Sequence, residues 1–95
     1  MKEIEICSKR IKKENGEEFT AYRGYTKKGW LDLRFTKKCQ ESLTAEMKQK
    51  LEFTKNFKVF VKEDDMNISK KERFDVIYIQ AIEKFEEITF EKHLE

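Results

Sequence analysis

Between Tyr22 and Arg34 the chain interleaves three aromatic rings, Tyr22, Tyr25 and Trp30, with the cations Arg23, Lys27, Lys28 and Arg34. Flat rings stack on planar bases at about 1–3 kcal/mol per base, and neighbouring Lys or Arg follow a string of phosphates. That is recognition chemistry, not bond-making chemistry. Phe60 joins the set if its strand carries no bulge, because it then faces outward with Lys58 and Lys62. It could instead pack under the acidic C-terminal segment.

Residues for catalysis or metal binding are not arranged to act. Cys7 and Cys39 lie far apart, form no CxxC pair and are accompanied by a single histidine, His93. A zinc site needs more ligands at tighter spacing, so two reduced packing cysteines are expected. There is no Gly-rich phosphate loop and no HExxH, and Glu and Asp are too abundant for any pair to stand out as acid and base. Glu63-Asp64-Asp65 lacks the glycine of a calcium loop. These features predict a protein that is not an enzyme and that carries no metal and no small-molecule cofactor.

The chain of 95 residues is long enough for one domain. Its hydrophobic fraction of 38% under a charged fraction of 42% supports a modest core below a strongly charged surface. No apolar run reaches the length of a membrane span. The opening Met1-Lys2-Glu3-Ile4-Glu5 alternates in polarity instead of forming a leader's apolar region, so no membrane association and a cytoplasmic location are expected. Net charge is +2, but residues 83–95 carry −3, leaving +5 on residues 1–82. A mildly basic body beside an acidic tail suits a polyanion. Leu94-Glu95 look like the scar left by cloning ahead of an affinity tag, which leaves 2–82 as a domain and 83–93 as an acidic extension.

The elements that must hold the rings are mostly strands. Ile4 and Ile6 alternate with Glu3, Glu5 and Cys7, the period of a half-buried strand. The apolar phase slips before Ile11, which predicts a bulge. Asn15-Gly16 predicts a hairpin turn with both residues at positive φ. A second strand follows from Glu18 to Tyr25 and a third from Trp30 to Thr36, with Leu31, Leu33 and Phe35 on one side and Trp30, Asp32 and Arg34 on the other. Leu43, Met47 and Leu51 then mark one short helix, capped by Ser42 or Thr44. The fourth strand runs from Phe57 to Lys62, with Phe57, Val59 and Val61 inward. Residues 63–71 read as a long polar loop, and Arg73 to Ile82 as the fifth strand. Glu83 to His93 reads as an extra strand, a helix or a flexible tail.

Three strands, a helix and two strands resemble the OB fold, a five-stranded, partly open all-β barrel (β1-β2-β3-α-β4-β5). The resemblance covers residues 2–82 and rests on element order, not on a motif. It is strongest to the small single-stranded-DNA-binding OB domains of bacteria and mobile elements. It implies a ligand face on strands two and three, flanked by the loops after strands one and four. An SH3-like barrel fits less well, because it carries a 3₁₀ turn where this chain shows a helix.

Two hairpin registers distribute the rings differently. If Lys27-Lys28-Gly29 is the whole loop, Tyr22 opposes Arg34, Gly24 opposes Asp32, and Arg23 points inward opposite Leu33. If the loop is Thr26 to Gly29, Tyr25 opposes Trp30 and Arg23 opposes Asp32. A one-residue slip exchanges the two tyrosines between core and surface. Trp30 and Arg34 face outward in both. The candidate nucleic-acid-binding set is therefore Tyr22, Arg23, Tyr25, Lys27, Lys28, Trp30, Arg34 and Phe60. The expected partner is single-stranded DNA or RNA. The competing reading is a protein partner bound at strand edges or at Phe85, Ile88 and Phe90 of the acidic extension.

Overall fold

The structure is a computed structural model, and it describes residues 1–70 and 73–88. The chain folds mainly as strands, with two short helices. β1 spans Lys2–Lys12, β2 Glu18–Thr26 and β3 Gly29–Phe35; α1 spans Lys37–Ser42 and α2 Ala45–Phe53. β4 spans Asn56–Val61, β5 Met66–Lys70, β6 Asp75–Ile79 and β7 Lys84–Glu87. They form one sheet in the order β5-β6-β3-β2-β1-β4-β7. All pairings are antiparallel except β3 with β6. That parallel pair needs a crossover connection, which the helices, β4 and β5 supply.

β1 organises the sheet because two partners share its length. Ile6 to Lys12 pair with β2, whereas Lys2 to Cys7 pair with β4. Where β1 leaves β4, the buried Ser8 takes over: its backbone N–H donates to Lys55 O at 2.8 Å and its hydroxyl donates to Thr54 O at 2.7 Å. Both pairings run without an inserted residue, so the expected bulge is absent. The phase slip has a plainer cause. Ile11 lies on the outer face of the sheet, opposite Phe19, while Ile4 and Ile6 lie on the inner one.

The inner face carries the core. Ile4, Ile6, Leu33, Phe35, Phe57, Val59, Val61, Ile77 and Ile79 are buried there, with Cys39 of α1 and Leu51 of α2 packed against them. Burying a side chain such as Phe57 contributes about 1.5–3 kcal/mol. Gly24 of β2 faces the same side, between Ile6 and Leu31. A β-carbon there would lie 2.9 Å from the methyl ends of both Ile77 and Leu33 and 3.3 Å from Ile4. The sheet closes over its core at that point because the residue is glycine.

The single expected helix is two. Thr36 caps α1 by accepting from Cys39 N at 3.2 Å, and Thr44 caps α2 by accepting from Met47 N at 3.1 Å. Leu43 between them is extended and ends α1. Ser42 caps nothing; its hydroxyl donates to Cys39 O. The strand count also rises from five to seven. The stretch expected as a long loop contains a 3₁₀ turn, Glu63–Asp65, and then β5, in which Met66 and Ile68 face β6 residues Ile79 and Ile77. The expected fifth strand shortens to β6. In the acidic extension, Lys84–Glu87 form β7 against β4, with Phe85 packed on Phe57 at 5.0 Å between ring centroids. Lys71, Phe90, His93 and the terminal Leu94-Glu95 lie outside the described residues. Among those described, no helix is long and apolar enough to cross a membrane.

The sheet is curled, and one short connection requires it. β4 and β5 are separated in the sheet by β6, β3, β2 and β1, which in a flat sheet is about 24 Å at roughly 4.8 Å per strand. Only residues 62–65 join Val61 to Met66, and even fully extended they span no more than about 18 Å. They are not extended, since Asp65 N donates to Lys62 O within the 3₁₀ turn.

Gly24→Ala should cost about 1–3 kcal/mol, because Ile77 and Leu33 are buried and cannot swing away freely. Urea unfolding of the variant beside wild type measures this, and an unchanged midpoint would contradict the close approach.

Candidate functional site

The turn between β2 and β3 sets the register of the candidate face. Thr26 pairs with Gly29, which takes φ +99°, so the turn proper is Lys27-Lys28. The Thr26 hydroxyl accepts from Lys28 N at 3.1 Å and donates to Gly29 O at 2.9 Å. Tyr25 then opposes Trp30, Arg23 opposes Asp32, and Tyr22 opposes Leu33. Of the two registers weighed above, the one with Tyr25 outward holds. The other is excluded, and with it an outward Tyr22, an inward Arg23 and an open Gly24 beside Asp32.

The first hairpin differs from its expectation in a related way. Gly16 alone has positive φ, at +89°. Gly16 N donates to Lys13 O, Lys13 N donates to Glu17 O, and the Asn15 side chain accepts from Glu17 N. The loop is therefore Glu14-Asn15-Gly16, a three-residue turn ending in a left-handed glycine.

On the outer face, Tyr25 and Trp30 form an edge-on pair with centroids 5.2 Å apart. They remain 55% and 47% exposed, far more than core rings. Arg23 approaches Asp32 at 3.9 Å, with both side chains solvated, a contact worth about 0–1 kcal/mol at most. Arg34 is exposed and has no ion pair among the described residues. Lys28 reaches Asp75 at 3.7 Å, and Lys27 is exposed at the turn. Phe60 does face outward, as expected without a bulge, but it belongs to a separate cluster on β4. Lys58 and Lys84 lie over its ring at 5.9 and 5.4 Å and are themselves paired with Glu3 and Glu86.

Three residues along β2 from Tyr25, beyond Tyr22, the sheet splits. β2 and β3 are paired only from Tyr22 to Thr26, while Glu18 to Ala21 continue as an arm paired with β1 alone. Between that arm, the end of β3 and the helical segment lies a cleft of about 930 Å³. Its walls carry the cations Lys9, Arg23, Arg34 and Lys48 against the acids Asp32 and Glu52. Glu63, Asp64 and Asp65, in the loop after strand four that the OB resemblance sets beside the ligand face, do not line it.

Tyr22 lines the cleft from the inner side, edge-on to Phe35 at 5.0 Å. Burial pushes its phenol up to about 12, the Glu52 charge adds to that, and Arg10 offsets part of it. Arg10 ties the arm to α2 through Glu52 at 2.6 Å, and also meets Glu18 at 3.2 Å and Thr20 at 3.0 Å. Its guanidinium is held protonated first by the Glu52 hydrogen bond. Both cysteines are free; burial pushes the Cys39 thiol up, which disfavours its thiolate. Among the described residues no three His, Cys, Asp or Glu side chains converge as a metal site would require.

The structure thus brings together Arg23, Tyr25, Trp30 and Arg34, with Lys27 and Lys28 at the adjoining turn. It sets Phe60 apart and turns Tyr22 to the cleft's inner wall. Sequence reasoning missed Lys9, Ile11, Phe19, Lys48 and Glu52. The outward phase of Ile11 was the available signal for the arm. The helical residues give no such signal, because they meet the arm only through the tertiary fold.

Raising the Tyr22 pKa favours the neutral phenol in the folded state. Stability from this group is complete below its unfolded value near 10 and is lost as pH rises towards about 12. Urea midpoints measured across that window should fall less steeply for Tyr22→Phe than for wild type, and parallel slopes would mean that Tyr22 is not buried as described. No protein-family model matches the chain, and no curated protein or solved structure is significantly similar to it.

Proposed function

We propose that this protein is a binding module for single-stranded nucleic acid, with the outer face of β2 and β3 as its contact surface. The observation that carries this reading is the exposed Tyr25–Trp30 pair on the same sheet face as Arg34, which borders a cleft whose walls hold more cations than acids. Two solvated rings in contact on a strand surface contribute little to a core, but they offer the π-faces on which bases stack. Arg34, free of ion pairs among the described residues, is available to a phosphate without first losing a partner.

The fold supports the reading at a coarser level. If β4 and β5 are one strand broken by the 3₁₀ turn, and β7 is an addition, the remaining strands follow the OB order, with the helical segment after β3. That fold commonly presents its second and third strands to oligonucleotides. A protein partner is the competing reading. It is favoured by the outer edges of β5 and β7, which have no neighbouring strand among the described residues.

Trp30 is the only tryptophan, so its fluorescence reports on the face directly. Titration with oligo-dT or oligo-rU of about twelve nucleotides at about 50 mM salt should quench it, and affinity should fall as salt rises. Arg34→Ala should reduce the slope of log affinity against log salt by about 0.7, the value for one phosphate contact on a single strand. Trp30→Ala, followed by anisotropy of a labelled oligonucleotide, should lose about 1–3 kcal/mol. Constant fluorescence and anisotropy with both polymers would overturn the proposal.

A further inference from the structure

The geometry points to a second base-stacking station, Phe19 on the β1–β2 arm, so that the ligand is a single strand running along β2 from Tyr25 to Phe19. This rests on the nucleic-acid reading above and extends it by fixing the path and length of the bound strand. Residues 19, 21, 23 and 25 of β2 share the outer face, because side chains alternate along a strand. Tyr25 with Trp30 lies at one end of this row and Phe19 at the other, six residues apart, or about 20 Å at roughly 3.4 Å per residue.

Between the two ends cations outnumber acids. Beside Tyr25 comes Arg23, with Asp32 opposite it. Then comes Ala21, whose small side chain leaves room, flanked on β1 by Lys9. Arg34 and Lys9 both line the cleft at this level, and neither has an ion pair among the described residues. Phe19 closes the row. It is 40% exposed, it lines the cleft, and Lys13 stands 5.4 Å from its ring centre. Lys13 lies over the ring and meets Glu17 at 3.9 Å, so a base that stacks on Phe19 displaces this ammonium, which then has the adjoining phosphate within reach.

The spacing limits the ligand. At about 3.4 Å per nucleotide, the rise of a stacked strand, 20 Å holds about six nucleotides, and fewer if the strand is extended. Rings at both ends of the row need unpaired bases, since a duplex buries its π-faces. The ligand is thus a single strand of about four to six nucleotides, or a longer one contacted over that length. Phe19 also covers Ile11 across the arm. A purely structural role for that pair would weaken oligonucleotides of every length alike.

The test is a length series. Oligo-dT and oligo-rU of about two, four, six and twelve nucleotides are titrated against Trp30 fluorescence in wild type, Phe19→Ala, Phe19→Leu and Phe19→Tyr. Phe19→Leu keeps apolar cover on Ile11 without a flat ring, and thermal melting confirms that each variant is folded. In wild type, affinity should rise with length up to about six nucleotides and then level off. Phe19→Ala and Phe19→Leu should lose roughly 5- to 150-fold on the longer oligonucleotides, the range for one stacked base. They should bind the dinucleotide as wild type does, and Phe19→Tyr should restore the loss. If wild type shows the length dependence and Phe19→Leu leaves it unchanged, or weakens all lengths equally, the second station is wrong and the first stands. If no length quenches Trp30, both readings fail. The dT and rU arms show which sugar the face accepts.

Discussion

Four residues between Val61 and Met66 constrain this fold more than any single contact. They carry the chain from one half of the sheet to the other, across four intervening strands, in less distance than a flat sheet would need. The sheet therefore curls. Curling brings the inner faces of β1, β3, β4 and β6 together, and on that account Phe57, Val59, Ile77 and Ile79 are fully buried in so short a chain. Gly24 is the counterpart of this constraint. Near the C-terminal end of β2 the inner side chains of the curled sheet approach so closely that no β-carbon fits without displacing Ile77 and Leu33.

The cleft follows from the same curvature. β1 and β2 are long enough to continue past the body of the sheet, whereas β3 turns into α1 at Thr36. The hydrogen bonding between β2 and β3 ends at Tyr22, and the two strands part. Nothing but side chains then holds the arm to the helices, chiefly Arg10 between Glu18 and Glu52. The seam has an apolar inner wall, from Tyr22 and Phe35, and a cationic outer rim, from Lys9, Arg23 and Arg34. On the inner side, Ser8 ties β1 to the chain entering β4 through its backbone N–H and its hydroxyl.

Much of the strand pattern was legible because alternation is a local signal. Leu31, Leu33 and Phe35 against Trp30, Asp32 and Arg34 sorted the faces of β3 correctly, as did Phe57, Val59 and Val61 for β4. The errors have separate causes. Ile11 read as a bulge because an apolar residue was assumed to face inward, when it faces out over the arm. Met66 and Ile68 sit among Asn, Ser and Lys and made too weak an alternation for a strand, until β6 was there to pair with them. The break at Leu43 is invisible in the spacing of Leu43, Met47 and Leu51, since Thr36 and Thr44 each cap a helix of their own.

By itself the sequence determined that the protein is mostly strands with helical turns after the third, and that Trp30 and Arg34 face outward. Those properties depend on side-chain alternation and on residues close in the chain. Only the tertiary structure decided which tyrosine accompanies Trp30. The choice turns on one residue of register, settled by the Thr26–Gly29 pair and by what the core accepts: Tyr22 fits against Phe35, and Gly24 is needed beneath Ile77. The cleft itself, with Lys9 and Phe19 on one side and Lys48 and Glu52 on the other, arises from the parting of two strands and the curl that a short connection imposes. No local pattern records either event, because both depend on residues that meet only when the chain is folded.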